Sequence, residues 1–451
     1  MRAGRSCPSC RNRRSGRLLS SPRRDLFRAS HVVARPGNSY AIHNATLLTL
    51  APLSRLGAAK PHVSEEDLGI CAGCSVVVEQ GVIASTGSYA DVRNAVRDVK
   101  ARAASFEEID ARGQLVMPGF VDGHTHALFA GNRVADFEAL AAGRRPELGM
   151  AYTIEQTRLC SREDLVEIGR RHLALMFSHG TTTAEVKSGY ALTADGECKL
   201  LAAIAELGRA AELPRTVATF CGAHALPPEF HDFGAFVAEL SERFLPQVVA
   251  QDIARFADAF CEPGFFSVAQ SERFLSACAG KGLRLRIHAD ELAAGGGARL
   301  AARLGCTSAD HLNFIENEDI GKLAQAGCIA VLCPGTVAHL GLPRFAPARA
   351  LIDSGVPVAL ATDFNPGTCP CWSLQMIAYL ARRHMRMSVP ETIAALTITA
   401  AHSLNMAEAI GSIVPQKCAD LLLLHISDYR ELGYYFGSNL VASVFVGDKA
   451  R

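Results

Sequence analysis

The chain has 451 residues, more than one ordinary domain holds, and a make-up of 49% hydrophobic and 20% charged residues is that of a folded globular protein. A formal net charge of +1 gives no electrostatic pull towards nucleic acid or an anionic membrane surface, and no uninterrupted apolar run reaches the length, about 18 residues, that a spanning helix needs. Fifteen cysteines, odd in number, scattered and mostly in apolar stretches, point to buried thiols in a cytosol-like compartment and away from a disulfide framework.

Residues 1–38 stand apart. Ten arginines lie between Arg2 and Arg35 against a single acid, Asp25, with several serines and no lysine. That suits a basic disordered extension, a start codon placed too far upstream, or a mitochondrial transit segment. A cytoplasmic protein is the expectation, and a mitochondrial one if the segment is a genuine signal. From Ser39 to Gly113 the chain carries short runs such as Thr46–Leu50 and Ser75–Gln80, punctuated by glycines. The tail adds Asp420–His425 and Leu440–Val446. Both flanks are expected to build one small β-sandwich domain, over 39–113 and 411–451.

Between them, over 114–410, eight apolar, β-branched runs alternate with helical stretches. The runs are Leu115–Val121, Thr181–Val186, Thr216–Cys221, Arg255–Phe260, Leu283–His288, Thr307–Asp310, Cys328–Leu332 and Val356–Thr362. In the helical stretch Asp195–Glu212, Leu200, Ile204 and Leu207 share a face. Eight strands alternating with helices predict a (β/α)8 barrel, with its chemistry at the C-terminal ends of the strands.

The strand ends carry that chemistry. The first run leads into Phe120-Val121-Asp122-Gly123-His124-Thr125-His126. In extended chain, residues i and i+2 point to the same side, so His124 and His126 can offer two imidazoles to one cation. His288 closes the fifth run, His311 follows the sixth, and Asp363 closes the eighth. Any one of these could be a buried hydrogen-bonder or a helix cap. Together, on strands one, five, six and eight of a barrel, they converge on one point. Imidazoles with a carboxylate suit zinc, and ferrous iron nearly as well. Such a site acidifies water towards pKa ~7, with a neighbouring carboxylate to shuttle the proton.

This pattern resembles the amidohydrolase superfamily. Several motifs are similar to its imidazolonepropionase family in particular: Gly131-Asn132-Arg133, Glu185-Val186-Lys187-Ser188-Gly189-Tyr190, Phe220-Cys221-Gly222-Ala223-His224-Ala225, His288-Ala289-Asp290-Glu291, and Thr362-Asp363-Phe364-Asn365-Pro366-Gly367-Thr368. The similarity runs from about Tyr40 to the end. It implies one Zn2+ or Fe2+/Fe3+ ion per chain, held by His124, His126, His288 and Asp363. It implies catalytic roles for Asp363, His311 and Glu291, and substrate contacts from Arg133, Tyr190, His224, Glu291, Asn365, Gly367 and Thr368. The implied reaction opens the cyclic amide 4-imidazolone-5-propanoate to N-formimidoyl-L-glutamate in histidine breakdown. The substrate's propionate gives arginine a carboxylate to grip. The resemblance also implies a homodimer, with neither nucleic acid nor membrane as partner.

One stretch departs from the family pattern. Between Glu138 and Thr153 the chain is about five residues shorter and lacks a substrate-binding tyrosine. The pairs Cys7/Cys10 and Cys71/Cys74 lie about sixty residues apart, whereas a zinc ribbon sets its pairs about 15–20 apart. Gly295-Gly296-Gly297 lacks the lysine of a phosphate loop and reads as a tight turn, and no Gly-x-Ser-x-Gly elbow is present. The alternatives are another mononuclear amidohydrolase, either a nucleobase or aminoazole deaminase or a cyclic amidase, and a non-catalytic relative. Binuclear members place a carboxylated lysine on the fourth strand, and the fourth run here has none, which favours a single ion.

Overall fold

The computed structural model describes residues 31–34 and 38–447. The basic segment and Cys7/Cys10 therefore lie almost wholly outside the described residues. Two eight-stranded sheets organise the rest. The central one is all parallel and runs Phe120–Asp122, Thr181–Lys187, Arg215–Ala223, Phe256–Cys261, Arg284–Ala289, Ser308–His311, Ile329–Leu332 and Val358–Leu360, each strand pairing with the next. These are the first to eighth barrel strands below. The first and eighth meet through a parallel bridge between Thr125 and Phe364, with Asp363 N donating to His124 O (3.0 Å) and His126 N to Phe364 O (2.9 Å). That closes the barrel.

Near-continuous burial of these strands, as in Thr181–Lys187, follows from helices outside and side chains inside. Ser161, Ser267 and Ser388 start outer helices by reciprocal capping with Asp164, Gln270 and Glu391. The lower barrel is filled by Val121, Val217, Phe256, Ile329, Val331 and Ala359, packed on Ala400 and Ala401 of the helix Ile398–Ser403. With its lower end plugged, the barrel opens at the C-terminal ends of its strands.

The second sheet is mixed and draws on both ends of the chain: Ser39–Leu48, Ile70–Glu79, Val82–Ser88 and Phe106–Asp110 pair with Leu115–Pro118, Leu421–Leu424, Val441–Phe445 and His31–Ala34. It folds back on itself. Tyr40 stacks on Phe445 with 5.2 Å between ring centroids, although two strands separate theirs, and Ile42, Val76, Val116, Leu421 and Leu423 are enclosed in the same cluster.

The run Leu115–Val121 proves to be two strands. Leu115–Pro118 pairs with Ser39–Leu48 and with Leu421–Leu424 in the mixed sheet, and only Phe120–Asp122 enters the barrel. The handover falls at Gly119, where a Cβ would stand 2.2 Å from Thr182 Oγ1, so only a glycine backbone passes this close to the second strand. Cys71 and Cys74 lie inside the strand Ile70–Glu79 and are joined as a disulfide. No helix among the described residues is long and apolar enough to cross a membrane.

Candidate active site

Each barrel strand that ends in chemistry is apolar below and polar above. Arg286 and His288 alternate on the fifth strand, Ser308 and Asp310 on the sixth, and Glu185 and Lys187 on the second, and all are buried. At the mouth, His124 Nε2 and His126 Nε2 stand 3.5 and 3.7 Å from Asp363 Oδ1, and His126 Nε2 lies 3.2 Å from His288 Nε2. Ligand atoms within 4.8 Å of one another link His124, His288 and His311, then His126, His224 and His288, then Glu291, His311 and Asp363. The residues expected to converge do so.

The donor set fits a metal ion. His124 Nε2 is buried with no hydrogen-bond partner, while Nδ1 of the same ring is held 2.7 Å from Asp310 Oδ2. The His288 ring is held likewise, Nδ1 lying 3.1 Å from Asp258 Oδ1. A carboxylate behind a ring fixes its tautomer and turns the other nitrogen outward, the usual support of a metal-ligating histidine. Burial, helped by neighbouring cations, keeps the His124, His126 and His311 imidazoles well below their ordinary pKa, so they stay neutral and able to ligate.

The carboxylates divide. Burial pushes Asp363 up to about 6, against a 2.7 Å hydrogen bond from Thr336 Oγ1 to its Oδ2. Glu291 is pushed well above the ordinary carboxylate range by burial and by repulsion from Asp363, and its Oε2 lies 3.7 Å from His311 Nε2. Both His311 (φ 73°) and Asp363 (φ 52°) sit in left-handed backbone, a strained conformation typical of functional strand ends.

On one flank Tyr190 and His224 form a wall. The His224 ring stacks on His126 at 4.7 Å and 12°, with Nδ1 3.0 Å from Gly189 O, and burial lowers its pKa to about 4. Tyr190 is pushed up by burial and by Asp363, with Arg133 acting in the opposite sense. The Arg133 guanidinium lies over Gly367, where a Cβ would meet Nη1 at 2.0 Å. The side chains of Asn365 and Thr368 are engaged with their own loop: Asn365 Oδ1 accepts from Gly367 N (2.8 Å) and Thr368 N (2.7 Å), and Nδ2 donates to Thr368 Oγ1 (2.8 Å).

Beneath the mouth lies a charged layer that sequence reasoning did not single out. Lys187 Nζ donates to Glu185 Oε1 (2.8 Å) and Asp258 Oδ2 (2.6 Å) and stands 3.7 Å from Asp310 Oδ2. Arg286 Nη2 donates to Asp310 Oδ2 (3.2 Å) and to Gly123 O (2.6 Å). Asp122 accepts from Thr362 N (3.1 Å) and Thr362 Oγ1 (2.6 Å), tying the first strand to the eighth. Charged residues at every second position of otherwise apolar runs were the available signal.

The loops around the mouth are also folded on buried acids. Glu197 accepts backbone N–H groups of Gly189, Ala191 and Leu192, which shapes the turn bearing Tyr190. Glu262 accepts those of Glu291, Leu292 and Ala293. Asp290 gathers the amides of Gly295, Gly296, Gly297 and Ala298, so the glycine run is the tight turn expected. Asp136 takes those of Glu147, Leu148 and Gly149 in the loop that follows its own helix.

Residues 115–450 match the amidohydrolase family, and the chain belongs to it. The chain is 42% identical over 410 residues to an imidazolonepropionase of Bdellovibrio bacteriovorus, covering 89% of this chain and 93% of the relative, and 41% identical over 414 residues to that of Geobacillus kaustophilus, covering 89% and 95%. Within the amidohydrolases, its place is among the imidazolonepropionases. An adenosine deaminase of Xanthomonas campestris with bound zinc superposes with a TM-score of 0.65 at 19% identity over 92% of each chain, a likeness of fold alone.

Proposed function

We propose that the chain hydrolyses 4-imidazolone-5-propanoate to N-formimidoyl-L-glutamate, with His124, His126, His288 and Asp363 holding one zinc or iron ion. The observation that carries this reading is the buried cluster itself: His124 Nε2 has no partner beside Asp363 while Asp310 braces the far side of the ring. When bound, the ion supplies Lewis acidity, lowering the pKa of water towards ~7 and polarising a carbonyl.

The chain's own groups do the rest. Arg133 grips the propionate and Tyr190 and His224 wall the ring. Neutral His311 donates a hydrogen bond to the amide oxygen as charge gathers there. Asp363 takes the proton from water as its oxygen joins the carbonyl carbon, then returns it to the ring nitrogen as the C–N bond breaks. Glu291, its carboxyl pushed well above the ordinary range by burial and by Asp363, steadies the ring by hydrogen bonding. The same reading carries a homodimer working in the cytoplasm.

Assay on freshly prepared 4-imidazolone-5-propanoate, with metal analysis of the same sample, tests the proposal. Turnover with close to one ion per chain is expected. Turnover of neutral cyclic amides but not of this acid would defeat it, as would two ions per chain.

A further inference from the structure

Of the buried acids that shape the mouth, only Asp136 also holds a side chain of the proposed substrate pocket. Its Oδ2 accepts from Arg133 Nε at 2.6 Å and from Gly149 N at 3.1 Å, and its Oδ1 from Glu147 N and Leu148 N at 2.9 and 2.8 Å. The carboxylate is 1% exposed. Burial would push it up, but these donors outweigh burial and hold it below its ordinary pKa, as the anion. Asp136 sits in the first turn of the helix Val134–Ala141, so Arg133 and Asp136 are neighbours three residues apart, fixed by the helix start.

The geometry points to Asp136 as the positioning residue for carboxylate recognition: it fastens the loop at Glu147–Gly149 to the Arg133 guanidinium and aims that guanidinium into the pocket. This rests on the proposed reaction. Asp136 engages Nε, which leaves the forked Nη pair for a carboxylate, the arrangement a bidentate grip requires. The other side of the clamp is Gly367. A methyl there would collide with Nη1 at 2.0 Å and with Cζ at 2.6 Å, so the arginine rests in a space that only glycine leaves open. An arginine held at two faces loses little freedom on binding, which is where preorganisation gives selectivity.

The test compares 4-imidazolone-5-propanoate with the analogue whose carboxylate is a neutral amide, in the metal-loaded full chain. Asp136→Asn should raise KM for the acid about tenfold or more while changing kcat and the neutral substrate's kcat/KM by less than about twofold, so discrimination collapses. Gly367→Ala leaves Asp136 and its loop alone and should push the guanidinium aside, so that KM rises more for the acid than for the neutral analogue. Trypsin adds an independent readout: Asp136→Asn should expose the bond after Arg144 to cleavage, and Gly367→Ala should not. Equal losses on both substrates in both variants, or unchanged discrimination in either, would overturn the inference. A wild-type enzyme that does not prefer the acid at all would overturn the reaction itself, a different result.

Discussion

Nδ1 of His124 and Oδ2 of Asp310 lie 2.7 Å apart, and that oxygen also takes the Arg286 hydrogen bond at 3.2 Å. One carboxylate on the sixth strand thereby joins a proposed metal ligand on the first to a buried cation on the fifth. Its orientation is over-determined, and the ring it steers inherits that rigidity.

Asp310→Asn should therefore weaken metal binding by roughly 10- to 100-fold, since the amide cannot match the charge-assisted hold on the ring. Chelator competition on the purified variant reads this directly. An unchanged affinity in a folded variant would mean that the Asp258–His288 pair alone orients the site.

Lys187→Met should cost stability before it costs chemistry. The ammonium faces Glu185, Asp258 and Asp310, all fully buried, and those three carboxylates hold its own pKa up against burial and against Arg286. Leaving buried acids unpaired typically costs about 3–5 kcal/mol. Denaturant unfolding of the metal-free protein measures it, and a loss under about 1 kcal/mol would show the layer neutralising itself by taking up protons.

Asp363→Asn removes the proposed proton carrier while leaving a group that Thr336 can still bond. We expect kcat to fall by about 10²- to 10⁴-fold with the fold intact. Near-normal turnover in a folded variant would take Asp363 out of the chemistry.

Away from the site, Lys417 offers a pH signature. Its side chain is buried, donating to the carbonyls of Ala407 and Ile410, and burial pulls its pKa from 10.5 down to about 8. A lowered lysine pKa means the folded chain releases the proton first. The cost of burying the charge is thus fully present below pH 8 and is relieved as pH rises through 8 towards 10.5. Relative to Lys417→Met, the wild type should gain stability across that window. Urea melts at pH 7 and pH 9.5 would reveal the difference, and parallel behaviour of the two proteins would refute it.

The histidine- and aspartate-bearing strand ends were legible because i, i+2 spacing and strand order need no tertiary knowledge: His124, His126, His288, His311 and Asp363 meet as expected. Barrel strand limits fell within two residues or so, except at Leu115–Val121, where the break at Gly119 divides two strands, whereas in the mixed sheet Ser39–Leu48 and Ile70–Glu79 begin seven and five residues before the expected runs Thr46–Leu50 and Ser75–Gln80. The roles of Asp258, Asp310 and Lys187 were not legible, because each depends on which strand lies next in the closed barrel. Asp136 was hidden for a different reason. Three of its four partners are backbone amides 11 to 13 residues away, and amides carry no sequence signal.

The mixed sheet also sets a timetable. Leu115–Pro118, made just before the first barrel strand, finds its antiparallel neighbour only in Leu421–Leu424, and that strand in turn pairs with Val441–Phe445. During synthesis an apolar strand edge near residue 115 has to wait while some three hundred further residues are added. A half-made chain thus carries an unpaired edge of the kind that recruits chaperones or aggregates. Ribosome-stalled chains ending near residue 410 should be far more prone to association than the released protein, and the last strands, remote from any catalytic group, become the step that commits the molecule to its final form.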